Sequence, residues 1–177
     1  LSADRARDGE LTDAMINRFL TLGRYARYQA GAEAILFTCS AFGPAIDAVA
    51  ADLDIPVHKP NSAMIERAVE LANGGRIGLV ATFEPTLQSM PPEFPEGADL
   101  TLIHVPGALA AAQAGNGAEH DRLAGEVVAA QGADCAVIAL SQFSLARARF
   151  EVERRSGKPV LVTPDCAVEA IRAALVR

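Results

Sequence analysis

Short apolar runs, each closed by small polar residues and followed by a segment of helical spacing, recur along this 177-residue chain and restrict it to one kind of fold. The clearest run lies within residues 31–44, GAEAILFTCSAFGP. Ala34, Ile35, Leu36 and Phe37 are continuously apolar, Thr38, Cys39 and Ser40 follow at once, and Gly43-Pro44 opens a helical pattern. An all-apolar run between turn signals predicts a strand buried on both faces of a parallel sheet. Similar runs stand at 77–81, 100–104, 136–140 and 160–162, with a shorter one at 55–58. Strands that alternate with helices predict α/β architecture with mainly parallel sheets.

Helical spacing is expected over 11–29, over 44–53 with Pro44 in the first turn, and after an Asn61 or Ser62 cap until Asn73-Gly74-Gly75. The segment ATFEPTLQS opens another helix that Pro91-Pro92 must stop. Residues 107–117 read as a loop or weak helix, 119–131 and 145–156 as helices, and Asp165 as the cap of a last helix to 176.

Two stretches repeat each other. Gly31-Ala32-Glu33 leads through an apolar strand to Ser40-Ala41-Phe42, a helix, Pro56-Val57 and Pro60-Asn61-Ser62-Ala63. Gly132-Ala133-Asp134 leads likewise to Ser141-Gln142-Phe143, a helix, Pro159-Val160 and Pro164-Asp165-Cys166-Ala167. The shared order predicts two pseudo-symmetric lobes, each a mainly parallel sheet flanked by helices. The first lobe is drawn as 1–75, with the C-terminal helix returning to it, and the second as 76–177. Two strands precede the GAD turn and none precedes the GAE turn, so the first lobe is expected to be truncated by an N-terminal strand pair.

Composition removes several functions. Half the residues are hydrophobic, only 5% are aromatic and there is no Trp, as in alanine-rich helices packed on an aliphatic sheet. Net charge is −6, and no basic stripe with interleaved aromatics is present, so no nucleic-acid partner is expected. No apolar stretch reaches bilayer length and the first ten residues do not form a signal peptide, so no membrane partner is expected either. Three cysteines, Cys39, Cys135 and Cys166, are an odd number without CxxC or histidine partners at metal spacing. They argue for a reducing, cytoplasmic setting and against a disulfide framework or zinc site.

Open α/β sheets bind ligands at the carboxyl ends of their strands, where helix N–H groups favour an anion. Cys39 stands at such a place and reads as a reactive thiol or a small packing residue. Thr38 and Ser40 could bind a carboxylate through hydroxyl and N–H groups, which is compatible with helix capping. Thr82 and Thr86, at another strand end, have the same two readings. Cys166, at the matching cap of the last helix, is either a displaced acid/base or a cap-region residue. Cys135 opens a strand at the wrong end and reads as core, and His58, His104 and His120 share no spacing.

The segments TCSAFGP, GGRIGLVATFEPTLQSM and GADCAVIALSQFSLA resemble the aspartate/glutamate/hydantoin racemase superfamily, which also contains arylmalonate decarboxylases and maleate isomerases. The resemblance runs from about residue 31 to the C-terminus. It implies two α/β lobes with the active site between them and makes Cys39 the first catalytic cysteine. It also implies that Thr82 lies in the substrate-carboxylate loop. The second catalytic cysteine has no counterpart: counting from the acidic residue reaches Leu140, and aligning strand ends gives Ser141 or Gln142, with Gln142 the best equivalent. Glutamine cannot act as acid or base at neutral pH, but it can donate a hydrogen bond to a carboxylate or enolate.

The resemblance therefore implies an enzyme acting on a small carboxylate or amino acid without cofactor or metal. Cys39 would be the acid/base, and Thr38, Ser40, Thr82 and Gln142 would hold the substrate. Racemase-type isomerisation and decarboxylase-type carbon–carbon cleavage both remain open, as does homo-oligomerisation. The alternative is a sensor or carrier that binds a carboxylate in the same interlobe cleft without turnover.

Overall fold

The computed structural model describes residue 4, residues 10–39 and residues 42–176. It is α/β with two parallel sheets, and the described chain divides into two compact units. One takes residues up to Pro60 together with those from Ala167 onward, and the other takes Asn61–Cys166. The division falls before α3 (Ser62–Ala72) rather than at 75/76, because Met64, Ile65, Ala68 and Ala72 of that helix pack on the larger sheet.

In the first unit, α1 (Asp13–Tyr28) is capped by Thr12, whose side-chain oxygen accepts from Met15 N–H at 3.3 Å. It leads to β1 (Ile35–Leu36), α2 (Gly43–Asp52) and β2 (Val57–His58), and β1 pairs with β2 in parallel. Met15 and Phe19 of α1 pack with Phe42, Ala45, Ile46 and Val49 in one cluster. The helices approach so closely at Gly23 that a Cβ there would lie 2.6 Å from a Val49 methyl. At the rim, Arg24 and Arg27 make paired hydrogen bonds to Asp52 and Asp54. Each aspartate is held below the usual carboxylate range, chiefly by hydrogen bonds from its arginine. β1 departs from expectation: only Ile35 and Leu36 are laddered, and both are half-buried rather than covered on two faces. A two-stranded sheet cannot enclose a strand as a larger one does.

The second unit contains a four-stranded parallel sheet in the order β4-β3-β5-β6. These strands are β3 (Ile77–Ala81), β4 (Leu100–His104), β5 (Val137–Leu140) and β6 (Val160–Val162). Side chains alternate across the sheet with the strand period of two. Val80, Ile103, Ile138 and Leu140 face one apolar cluster, with residues from α5 (Ala108–Gln113), α6 (Gly117–Gln131) and α7 (Arg149–Ser156). Ile77, Leu79, Ala81, Val137 and Ala139 join the other, with α3 and α4 (Glu84–Ser89). Every residue of β3 and β5 is buried, and each fully covered Leu or Ile contributes roughly 1.5–3 kcal/mol.

Asn73 ends α3 in the left-handed conformation, φ 46°, as the Asn-Gly-Gly stop predicted. Asn61 precedes α3 but makes no side-chain cap. Residues 108–113, within the stretch read as a loop or weak helix, form α5. The helix expected over 145–156 is a 3₁₀ turn at Phe143–Ala148 followed by α7. The last helix, α8 (Thr163–Leu175), begins before Asp165. Asp165 therefore lies in its first turn and pairs with Arg149 at 2.9 Å instead of capping. No described helix is long and apolar enough to cross a membrane.

Candidate active site

The segment that carries Cys39 is pinned at both ends by aromatic packing. Phe37 and Phe42 both stack on Phe19, with ring centroids 5.1 and 4.9 Å apart. Phe37 is half-buried and Phe42 fully buried, whereas Thr38 and Cys39 between them are exposed. With both rings packed on Phe19, Thr38 and Cys39 are left facing water, because apolar burial is the stronger drive. Ser40 lies outside the described residues. Cys135 and Cys166 are buried, the latter among Met64, Leu79 and Leu87. Cys39 is thus the exposed thiol of the three.

At the carboxyl end of the larger sheet the structure joins two residues singled out from the sequence. Thr82 directly follows β3, and its N–H and hydroxyl both donate to Gln142 Oε1, at 2.7 and 3.0 Å. Thr82 is buried and Gln142 half-buried. Ser141 is not available in the same way. Its hydroxyl donates to the Val80 carbonyl at 2.7 Å, and it is 2% exposed. Thr86 is buried within α4.

Asn61, which the sequence offered only as a helix cap, and Thr163, which it did not mark at all, complete the frame. The Thr163 hydroxyl lies 3.0 Å from the Leu140 carbonyl and 3.2 Å from Asn61 Oδ1, and both side chains are at most 1% exposed. The Asn61 amide N–H₂ turns to the Met90 sulfur at 3.4 Å. These buried polar groups satisfy the end of β5 immediately before Ser141-Gln142. The repeat that matched Pro60-Asn61-Ser62-Ala63 with Pro164-Asp165-Cys166-Ala167 marked Asn61, but not Thr163, the residue just before the second segment.

Strand register aligns the two halves of the internal repeat. β1 pairs Ile35 with Val57, and β5 pairs Ile138 with Val160. Ile35 N–H donates to the Pro56 carbonyl and Ile138 N–H to the Pro159 carbonyl, each at 2.9 Å. Matching the ladders on these pairs makes Gln142 the counterpart of Cys39 and Ser141 that of Thr38, since each stands equally far beyond its isoleucine. Leu140 matches Phe37.

An open depression of about 800 Å³ lies over residues 91–100. It borders Leu100, where β4 begins, and so sits at the amino end of that strand, away from Thr82 and Gln142. No group of three or more His, Cys, Asp or Glu among the described residues is arranged to hold a metal ion.

No protein-family model and no curated protein sequence matches the chain. Solved structures do match. The chain is similar to glutamate racemase from Thermus thermophilus in complex with beta-chloro-D-alanine, at TM-score 0.70 and 19% identity over 94% of this chain and 65% of that one. A glutamate racemase isoform from Bacillus anthracis matches at TM-score 0.66 and 13% identity, over 89% of this chain and 65% of that one. A mutant of arylmalonate decarboxylase in the liganded form matches at TM-score 0.67 and 22% identity, over 92% of this chain and 74% of that one. These likenesses show the fold, the one that the sequence resemblance implied. The chain spans about two thirds of the length of the racemases.

Proposed function

We propose that the chain is a cofactor-independent enzyme of racemase-superfamily type, which moves a proton at the carbon beside the carboxylate of a small acid. Cys39 is the acid/base. The observation that carries this reading is the exposed thiol of Cys39 just past a strand end, on a fold shared with racemases and a decarboxylase. As thiolate, Cys39 takes the α-proton and leaves an enolate. As thiol, it returns that proton, or protonates the enolate left when a second carboxylate departs as carbon dioxide. Thr38 and Ser40 beside it, and Gln142, donate hydrogen bonds to the carboxylate and to the oxygen where charge develops.

The counterpart relation of Cys39 and Gln142 narrows the chemistry. Racemisation needs an acid on one face of the carbon and a base on the other, and an amide is neither. One-sided protonation, as after decarboxylation, therefore fits these residues better than inversion of an ordinary amino acid. A reducing cytoplasm suits the reading, because it keeps the thiol available.

Iodoacetamide at neutral pH, followed by peptide mapping, should label Cys39 well before Cys135 or Cys166 and abolish turnover in step with labelling. The activity is measured on phenylmalonate and on each glutamate enantiomer. Earlier reaction of Cys135, or full turnover by Cys39→Ser, would contradict the assignment.

A further inference from the structure

The two hydrogen bonds between Thr82 and Gln142 settle which way the glutamine amide faces. A backbone N–H can only donate, so the atom 2.7 Å from Thr82 N must be the amide oxygen. The Thr82 hydroxyl adds a second donor to the same oxygen at 3.0 Å. Rotating the amide would set its N–H₂ against the Thr82 N–H and leave that N–H without an acceptor on a residue that is 4% exposed. The oxygen is therefore taken up internally, and the Nε2 hydrogens have no partner among the described residues.

We propose that Thr82 acts as a positioning residue rather than a substrate ligand: it turns the Gln142 oxygen inward, so that this position offers only donors and takes an oxyanion. The class of group bound there is a carboxylate or the enolate formed from it, and an ammonium or guanidinium is excluded. This rests on the reading above, in which Gln142 meets the substrate. Ser141 and Thr163 support the arrangement by tying the Val80 and Leu140 carbonyls, which fixes the backbone from which Gln142 projects. Donors held in place before the ligand arrives need no reorganisation when charge develops.

The test has two arms. In ¹⁵N,¹³C-labelled protein, Thr82 N and Gln142 Cδ should show a scalar coupling across the hydrogen bond, and the Thr82 amide should exchange slowly. Gln142→Leu, or Gln142→Asn with its shorter reach, should speed that exchange about tenfold or more. Gln142→Glu should keep the protection, because a carboxylate accepts as an amide oxygen does. The second arm titrates phenylmalonate. Gln142→Glu should weaken binding about tenfold or more by facing one carboxylate with another, while Thr82→Val weakens it about threefold and Thr82→Ser restores it.

Unchanged Thr82 exchange in Gln142→Leu and Gln142→Asn overturns the positioning role, and so does equal phenylmalonate affinity in wild type and Gln142→Glu. Intact coupling in a wild type that binds neither phenylmalonate nor glutamate supports the orientation and overturns the functional reading instead.

Discussion

At the residue scale two positions in matching register, the Cys39 thiol and the Gln142 amide, bear on the proposed chemistry. Gln142→Cys should supply the missing titratable group. We expect it to raise racemisation of a suitable α-aryl or α-amino acid from near zero, by at least the roughly hundredfold that a positioned acid or base contributes. Chiral chromatography of the product checks this, and an unchanged rate would separate Gln142 from the chemistry. The place of Cys39, exposed just past a strand, was legible in the sequence because a small polar triplet after an apolar run marks a strand end. Gln142 was only the best of three equivalents, with Leu140 and Ser141, because register is set by pairing between distant strands. The commitment of Ser141 to Val80, and of Thr82 to Gln142, is likewise tertiary: a hydroxyl at a strand end reads the same whether its partner is ligand or backbone.

At the element scale, the Cys39 segment depends on Phe19. Phe19→Ala removes the ring beneath both Phe37 and Phe42 and should cost about 3–5 kcal/mol. Denaturant titration measures that loss, and the spacing of Cys39 from the helix behind it should loosen with it. In the larger sheet, a Cβ on Gly78 would lie 2.7 Å from Ile138 Cδ1 and 3.2 Å from Cys135 Sγ. Gly78→Ala should therefore destabilise by about 1–3 kcal/mol. On α7, hydrogen bonds from Arg154 first, and then Arg155, hold the Glu151 carboxyl at about 2, below its usual 4.5. A depressed pKa gives stability that is complete above about pH 4.5 and lost as pH falls through about 2. Melting curves across that window should fall less steeply for Glu151→Gln than for wild type. Strands such as Ile77–Ala81 and Leu100–His104 matched their sequence limits. β1 came out shorter and α8 began earlier, since ladder length and helix starts depend on neighbours that a local pattern does not contain.

At the scale of the whole molecule, the alternation of strands and helices made the α/β class and parallel pairing readable from the sequence alone. The position of α3 was less so, because its helical pattern says nothing about which sheet its apolar face will meet. Stability should differ between the units as their sheets do. Amides of Leu79, Val80, Ile138 and Ala139, fully buried in the four-stranded sheet, should be the slowest to exchange, and those of Ile35 and Leu36 markedly faster. The most direct measurement of the central claim is deuterium incorporation in heavy water, followed by mass spectrometry with each enantiomer of an α-aryl or α-amino acid offered separately. One-sided chemistry at Cys39 predicts exchange or delivery of a proton on a single face, with one enantiomer labelled and none in Cys39→Ser. Rapid labelling of both enantiomers by the wild type would contradict it and point to a second base, with Cys166 the first to be substituted.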